Sequence, residues 1–171
     1  MKALFRIGLV CGVIAIAALA AVNHVASAKT AKAACTAGTR YDGTIRYTTW
    51  CGPARVSLKV GPTTYLMKGG NCALEHNGPF KWVIHVGTST YGGKPKYNYV
   101  QLDVKSDQPG TSNRAGLTYQ VKATGHYGNL ANAVVTLNAG LKSGTFKGKG
   151  KENGGGGWKP RKRNISGSFH C

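Results

Sequence analysis

Acidic side chains are nearly absent: Asp42, Glu75, Asp103, Asp107 and Glu152 are the only five, against 23 Lys and Arg, for a formal charge of +18. Glycosidase chemistry needs two carboxylates flanking one bond. Only Asp103 and Asp107 are near one another, and Asp107 lies in a Gly/Pro turn where aspartate caps backbone N–H groups. Helix-forming stretches are missing too. Beyond residue 28 no segment sustains a 3.6-residue apolar period, which argues against a helical fold. There is no G-x-S-x-G, H-E-x-x-H, G-x-x-x-x-G-K-[ST] or dinucleotide fingerprint, so the usual hydrolase, zinc-protease and nucleotide-binding templates do not apply. No His/Cys/Asp cluster has metal-ligand spacing, and the sequence implies neither a metal nor a cofactor. His76 and His126 fall in Gly/Asn-rich turn segments, His85 on the outward face of a strand pattern, and His170 beside a cysteine; each reads as a solvated histidine rather than a catalytic base. The expectation is a protein that is not an enzyme.

What is present begins with an export signal. Lys2 and Arg6 precede an uncharged apolar run from Ile7 to Val22, and Ala26-Ser27-Ala28 follows as a small-x-small cleavage site. This is the order of a secretory signal peptide over residues 1–28. The run falls short of the roughly 20 residues a membrane-spanning helix needs, so a retained anchor is the weaker alternative and no membrane span is expected after processing. Neither Cys11, inside the run, nor Cys35, behind Lys32-Ala33-Ala34, has the leucine-containing approach of a lipoprotein. The expected location is secreted, extracellular or associated with the cell wall. Without Lys2 and Arg6 the formal +18 becomes +16. A surface so one-sided stays soluble and gathers anions.

Cys35, Cys51, Cys72 and Cys171 remain after processing, and an even number in an exported chain reads as two disulfides. Short alternating runs make up the rest of the chain. Ile45, Tyr47, Thr49 and Cys51 share one face; Val56, Leu58 and Val60 alternate with Ser57 and Lys59; Thr63 to Met67 follows. Phe80, Trp82, Ile84 and Val86 form the clearest inward face, and Val100, Leu102 and Val104 repeat it. Leu117, Tyr119 and Val121, then Ala133 to Leu137, Thr145 to Lys149 and Ile165 to Cys171 complete the series. About nine short strands punctuated by Gly, Pro and Asn predict an all-β antiparallel sandwich or barrel. An N-terminal segment (29–40) leads into one domain (41–171). The eight tyrosines fall mostly on strand patterns, where packing is their main use and a sugar-binding face the alternative.

Gly61-Pro62 between two strand-like runs suits a two-residue hairpin. Antiparallel pairing about it sets residues whose numbers total 123 opposite each other, and Cys51 and Cys72 satisfy that condition. The pairing this predicts is Cys51–Cys72, leaving Cys35–Cys171. Its weak point is Gly52-Pro53, which can end the ladder before Cys51.

One segment departs from the strand pattern. Residues 148–163 (GKGKENGGGGWKPRKR) are rich in glycine and positive charge, and read as a mobile loop between the last two strands. Trp158, Lys159, Arg161, Lys162 and Arg163, with Lys147, Lys149 and Lys151 ahead of them, are the candidate binding residues. Basic groups beside an indole engage phosphate, sulfate or carboxylate while the ring stacks on a base or sugar. Asn164-Ile165-Ser166 also matches a glycosylation sequon.

The run Cys51 to Val60, the Lys68-Gly69-Gly70-Asn71-Cys72 turn and the terminal Gly167-Ser168-Phe169-His170-Cys171 resemble small secreted bacterial β-proteins, mostly actinobacterial. The closing strand ending in cysteine is similar to the mycobacterial lipoprotein antigens, from which this chain departs by lacking a lipobox. The resemblance implies an exported β-sandwich without a defined activity. The leading expectation is an exported domain that binds an anionic polymer or carbohydrate of the cell envelope, and nucleic acid only nonspecifically. The alternatives are an extracellular hydrolase with an unrecognised site and a cationic membrane-active protein, the latter without an amphipathic basic helix to support it.

Overall fold

The computed structural model describes residues 35–75, 78–154 and 159–171. The signal-peptide reading, His76 and Trp158 lie outside these residues. Eleven strands follow one another: β1 (Gly38–Asp42), β2 (Ile45–Thr49), β3 (Arg55–Val60), β4 (Thr63–Lys68), β5 (Gly70–Leu74), β6 (Trp82–Tyr91), β7 (Tyr99–Val104), β8 (Gly110–Val121), β9 (His126–Leu137), β10 (Ser143–Gly154) and β11 (Arg161–His170). The sequence pattern predicts about nine. β1 escapes it because all five of its residues are exposed and show no alternation, and β5 because it is short and begins inside a Gly-Gly turn.

From β3 onward each strand except β4 pairs with its successor in the chain, and β11 returns to pair with β3. β4 runs through Gly69, at φ 84, into β5, and β5 pairs with β6. Counting β4 and β5 as one bent strand, eight strands close into an up-and-down barrel. The all-β antiparallel expectation therefore holds, with the barrel as the main body. β6 is shared: its first half pairs with β5 and β7, then it bends at Gly87 (φ 92), and its second half pairs with β2. β1, β2 and that half of β6 form a small second layer against the outside of β8. Thr90 N–H donates to Gln120 Oε1 at 2.7 Å and Gln120 Nε2–H donates to Thr90 O at 2.7 Å.

The period-two patterns decide which side chains fill the barrel. Leu58, Ile84, Leu102, Leu117, Val135 and Ile165 are at most 2% exposed and point inward from six different strands. Burying each side chain of this size contributes about 1.5–3 kcal/mol. Eight strands leave just enough interior for side chains, so large and small residues must interleave. Gly167 shows this on β11: a Cβ there would lie 2.1 Å from Ser57 O and 2.4 Å from Phe146 Cζ. Among the described residues no helix is long and apolar enough to cross a membrane. The barrel is apolar inside and lysine-studded outside, the inverse of a membrane-spanning barrel.

The disulfides are Cys35–Cys51 and Cys72–Cys171, which corrects the predicted pairing. The hairpin register itself is as predicted, from Val60 opposite Thr63 down to Arg55 opposite Lys68. It ends there. Pro53 makes an isolated parallel bridge with Gly70, and β5 turns to β6, which sets Cys72 opposite Ile84 rather than Cys51. Cys72 then meets Cys171 at the end of β11, while Cys51 is left beside Cys35.

Candidate anion-binding face

Strand alternation also sorts the basic residues. Residues 148–163 are not one loop: β10 continues to Gly154 and β11 starts at Arg161. The strand is hidden in the sequence because Gly148, Gly150 and Glu152 occupy its inward positions instead of apolar residues. Leu130 takes the space, since a Cβ on Gly148 or on Gly150 would lie 2.6 Å from its methyl carbons. Lys147, Lys149 and Lys151 accordingly share the outer face of β10, and Lys162 joins them from β11. Arg163 points the other way: its Nε–H donates to Glu152 Oε2 at 3.0 Å, and Glu152 also lies 3.4 Å from His126 Nδ1. Arg161, opposite Glu152 in the register, shares the side of Arg163, and Lys159 is exposed just ahead of β11.

Barrel closure adds cations that the sequence reading missed. β11 pairs with β3, so Lys147, Ser166 and Lys59 fall in one cross-strand row, with Thr64 of β4 beyond. Arg55 and Lys68 face each other one row further from the hairpin than Ser57 and Leu66. The alternation of Val56, Leu58 and Val60 already turned Lys59 outward; nothing local showed that β3 lies next to β11. Seven exposed cations (Arg55, Lys59, Lys68, Lys147, Lys149, Lys151 and Lys162) thus occupy one wall formed by β10, β11, β3 and β4.

No acid faces them among the described residues. Glu152 is turned inward, Asp42 pairs with Lys96 at 3.1 Å in the outer layer, Asp103 lies on β7 across the barrel, Glu75 follows β5, and Asp107 is in the β7–β8 connection. Along β10 the lysines are about 7 Å apart, and Lys147 and Lys59 are about 10 Å apart across two strand spacings. Lys151 and Lys162 are direct cross-strand partners. Like charges so placed repel and destabilise the ladder. Beside them, where the β9–β10 register shifts between Lys147 and Lys151, an open groove of about 470 Å³ is lined by Asn129, Leu130, Lys149, Lys151 and Lys162.

Comparison of the chain with protein-family models, curated proteins and solved structures finds no match. The arrangement of charge on the fold therefore carries the functional reading. Among the described residues no group of three or more His, Cys, Asp and Glu is arranged to hold a metal ion. His85 is half-buried rather than solvated, and its hydroxyl partner is Tyr99, whose proton burial holds far more tightly than usual. A phenol in that state is a poor nucleophile.

Proposed function

We propose that this protein is an exported binding domain that holds a linear anionic polymer of the cell envelope against the β10–β11–β3–β4 wall, without turning it over. The observation that carries the reading is the Lys151–Lys162 cross-strand pair, flanked by Lys149 and opposed by no carboxylate. The ladder bears that repulsion when the protein is free, and an anion bridging the two ammonium groups removes it. The neighbouring rows offer the next charges at strand spacing, so a flexible chain with regularly spaced phosphate, sulfate or carboxylate groups meets several at once. Ser57, Ser166 and Ser168 between the lysines add hydroxyls that contact anionic oxygens. Export is supported by the signal-peptide pattern and by two disulfides, which persist outside the cytoplasm.

Two charge-matched variants test the reading. In one, Lys147, Lys149, Lys151 and Lys162 become Ser; in the other, Lys81, Lys94, Lys105 and Lys122, exposed elsewhere on the molecule, become Ser. Both variants carry four fewer positive charges. Retention on immobilised teichoic acid, heparin and single-stranded DNA is measured against salt. The first variant should elute far earlier and with a flatter salt dependence, because each phosphate no longer neutralised takes about 0.7–0.9 off the log–log slope on nucleic acid. Equal weakening in both variants would mean that only bulk charge acts, and release of shortened polymer would replace binding by hydrolysis.

A further inference from the structure

The wall across the barrel from the lysines is built quite differently. Where β6 bends away at Gly87, the chain leaving β2 passes beside it: Trp50 N–H donates to Gly87 O at 3.1 Å, and the Cys35–Cys51 disulfide pins the next residue. The Trp50 indole is thereby laid over the outward side chains of β6 and β7. It stacks on His85 at 4.5 Å and 5°, and on Tyr99 at 4.9 Å and 23°. His85 and Tyr99 are themselves only 6.3 Å apart. Rings stacked on opposite faces of the indole would be about 9 Å apart, so both lie under the same face. The other face meets no ring among the described residues, and Trp50 is only half-buried.

Under the indole the hydrogen bonds run in one direction. Tyr99 Oη–H donates to Gln101 Oε1 at 2.8 Å, and Gln101 Nε2–H₂ donates to both oxygens of Asp103, at 3.0 and 2.9 Å. With its single proton committed, Tyr99 Oη must accept from His85 at 2.9 Å, which places the imidazole proton on Nδ1 and leaves Nε2 a lone pair. Burial holds the His85 pKa below its usual value, which keeps that lone pair free of a proton, and the Asp103 carboxyl retains acceptor capacity beyond its bonds to Gln101. Gly116 stands opposite Asp103 and has no side chain to cover it. Asn71, His85, Gln101 and Thr118 form one outward row across four strands. None of the outward positions of β5, β7 and the first half of β6 is Lys or Arg, and Asp103 lies among them; Glu75, Lys81 and Lys105 stand together at the edge, one residue beyond these strands.

We propose that this wall is a second binding site, for a neutral pyranose sugar stacked on the face of Trp50 turned away from His85 and Tyr99, with its hydroxyls directed at the Asn71–His85–Gln101–Asp103 groups. Acceptors predominate here, so the ligand must bring donors, as a sugar's hydroxyls do. Asp103, with no Lys or Arg among the outward positions of these strands, disfavours an anion, and an indole face takes the C–H side of a pyranose ring. The site is independent of the lysine wall. Together the two walls match a polymer that carries both sugars and charges, but neither needs the other.

The test uses ¹H–¹⁵N spectra of the intact, disulfide-bonded protein titrated at millimolar concentration with cellohexaose, chitohexaose and mannohexaose. At least one should give saturable shifts at the Trp50 indole N–H and the Asn71 and Gln101 side-chain amides. Asn71→Ala, at an exposed position, and Trp50→Phe, which retains an aromatic ring, should each weaken binding roughly two- to tenfold with the fold retained. The four-serine variant of the lysine wall should bind the sugar as before, so this site can fail or stand apart from the anion-binding reading. Absence of saturable shifts with all three sugars would overturn the proposal. So would shifts confined to the lysine wall, or shifts obtained only with cationic glucosamine oligomers.

Discussion

Lys162 and Arg163 are sequence neighbours of equal charge, yet the fold gives them unrelated tasks, and substituting each alone tests that directly. Lys162 is exposed on the outer face with no carboxylate near it. Arg163 is bonded at 3.0 Å to Glu152, whose side chain is only 9% exposed, while its own side chain is 36% exposed. Removing one partner of a fully buried ion pair costs about 3–5 kcal/mol, and a surface pair is worth about 0–1. Arg163 lies between these limits, and the hydrogen bond it gives to a charged acceptor is worth about 1.5–3 kcal/mol. Arg163→Met should therefore cost about 1–3 kcal/mol, lowering Tm by several degrees in a domain of this size. It should leave the salt slope of polymer binding unchanged. Lys162→Ser should do the reverse: stability kept or raised by up to about 1 kcal/mol, because the repulsion from Lys151 is relieved, and a salt slope smaller by about 0.7–0.9. Thermal denaturation and salt-dependent retention on the same two proteins suffice. If both substitutions flatten the slope and neither lowers Tm, the two residues belong to one solvated loop and the strand assignment is refuted.

Further outcomes follow from the same geometry. Peptide mapping without reduction should recover Cys35–Cys51 and Cys72–Cys171. Removing the second pair should cost more, about 4–5 kcal/mol against about 3, because the loops it and the first pair close are 99 and 16 residues. Gly167→Ala should destabilise by about 1–3 kcal/mol in chemical denaturation, since the new methyl meets a β3 carbonyl oxygen that cannot move without opening the β11–β3 seam. Burial holds His85 below its ordinary 6.5, so above that pH both states are neutral and stability is complete. As pH falls below 6.5 the unfolded chain takes up a proton that the folded one refuses, and stability declines until the folded group titrates. Burial raises the Asp103 carboxyl above 3.8, so the folded state takes that proton first and regains part of the loss at lower pH. Tm measured from pH 7 downward should fall less steeply in His85→Gln than in wild type; identical slopes would show that His85 is not desolvated.

Much of the architecture was legible in the chain because a strand writes its own period. Alternation along Val56–Val60, Trp82–Val86 and Val100–Val104 identifies strands and inward residues without knowledge of any partner, and Gly61-Pro62 even sets a register. Other features were illegible for definite reasons. β10 reads as a loop, since its inward positions are glycines, and only the position of Leu130 on the next strand explains them. The cysteine pairing depends on where a ladder ends, which Gly69 and the demand of β6 for a partner decide, not the hairpin that starts it. The sequence by itself determined the all-β class, the excess of positive charge and the side of each strand on which a residue lies, because these depend on composition and on the two-residue repeat of the backbone. Only the tertiary structure decided which lysines share a wall and which residues stack under Trp50. Barrel closure brings β3 beside β11 and the bend at Gly87 brings Trp50 over His85, and such contacts between distant segments leave no local trace.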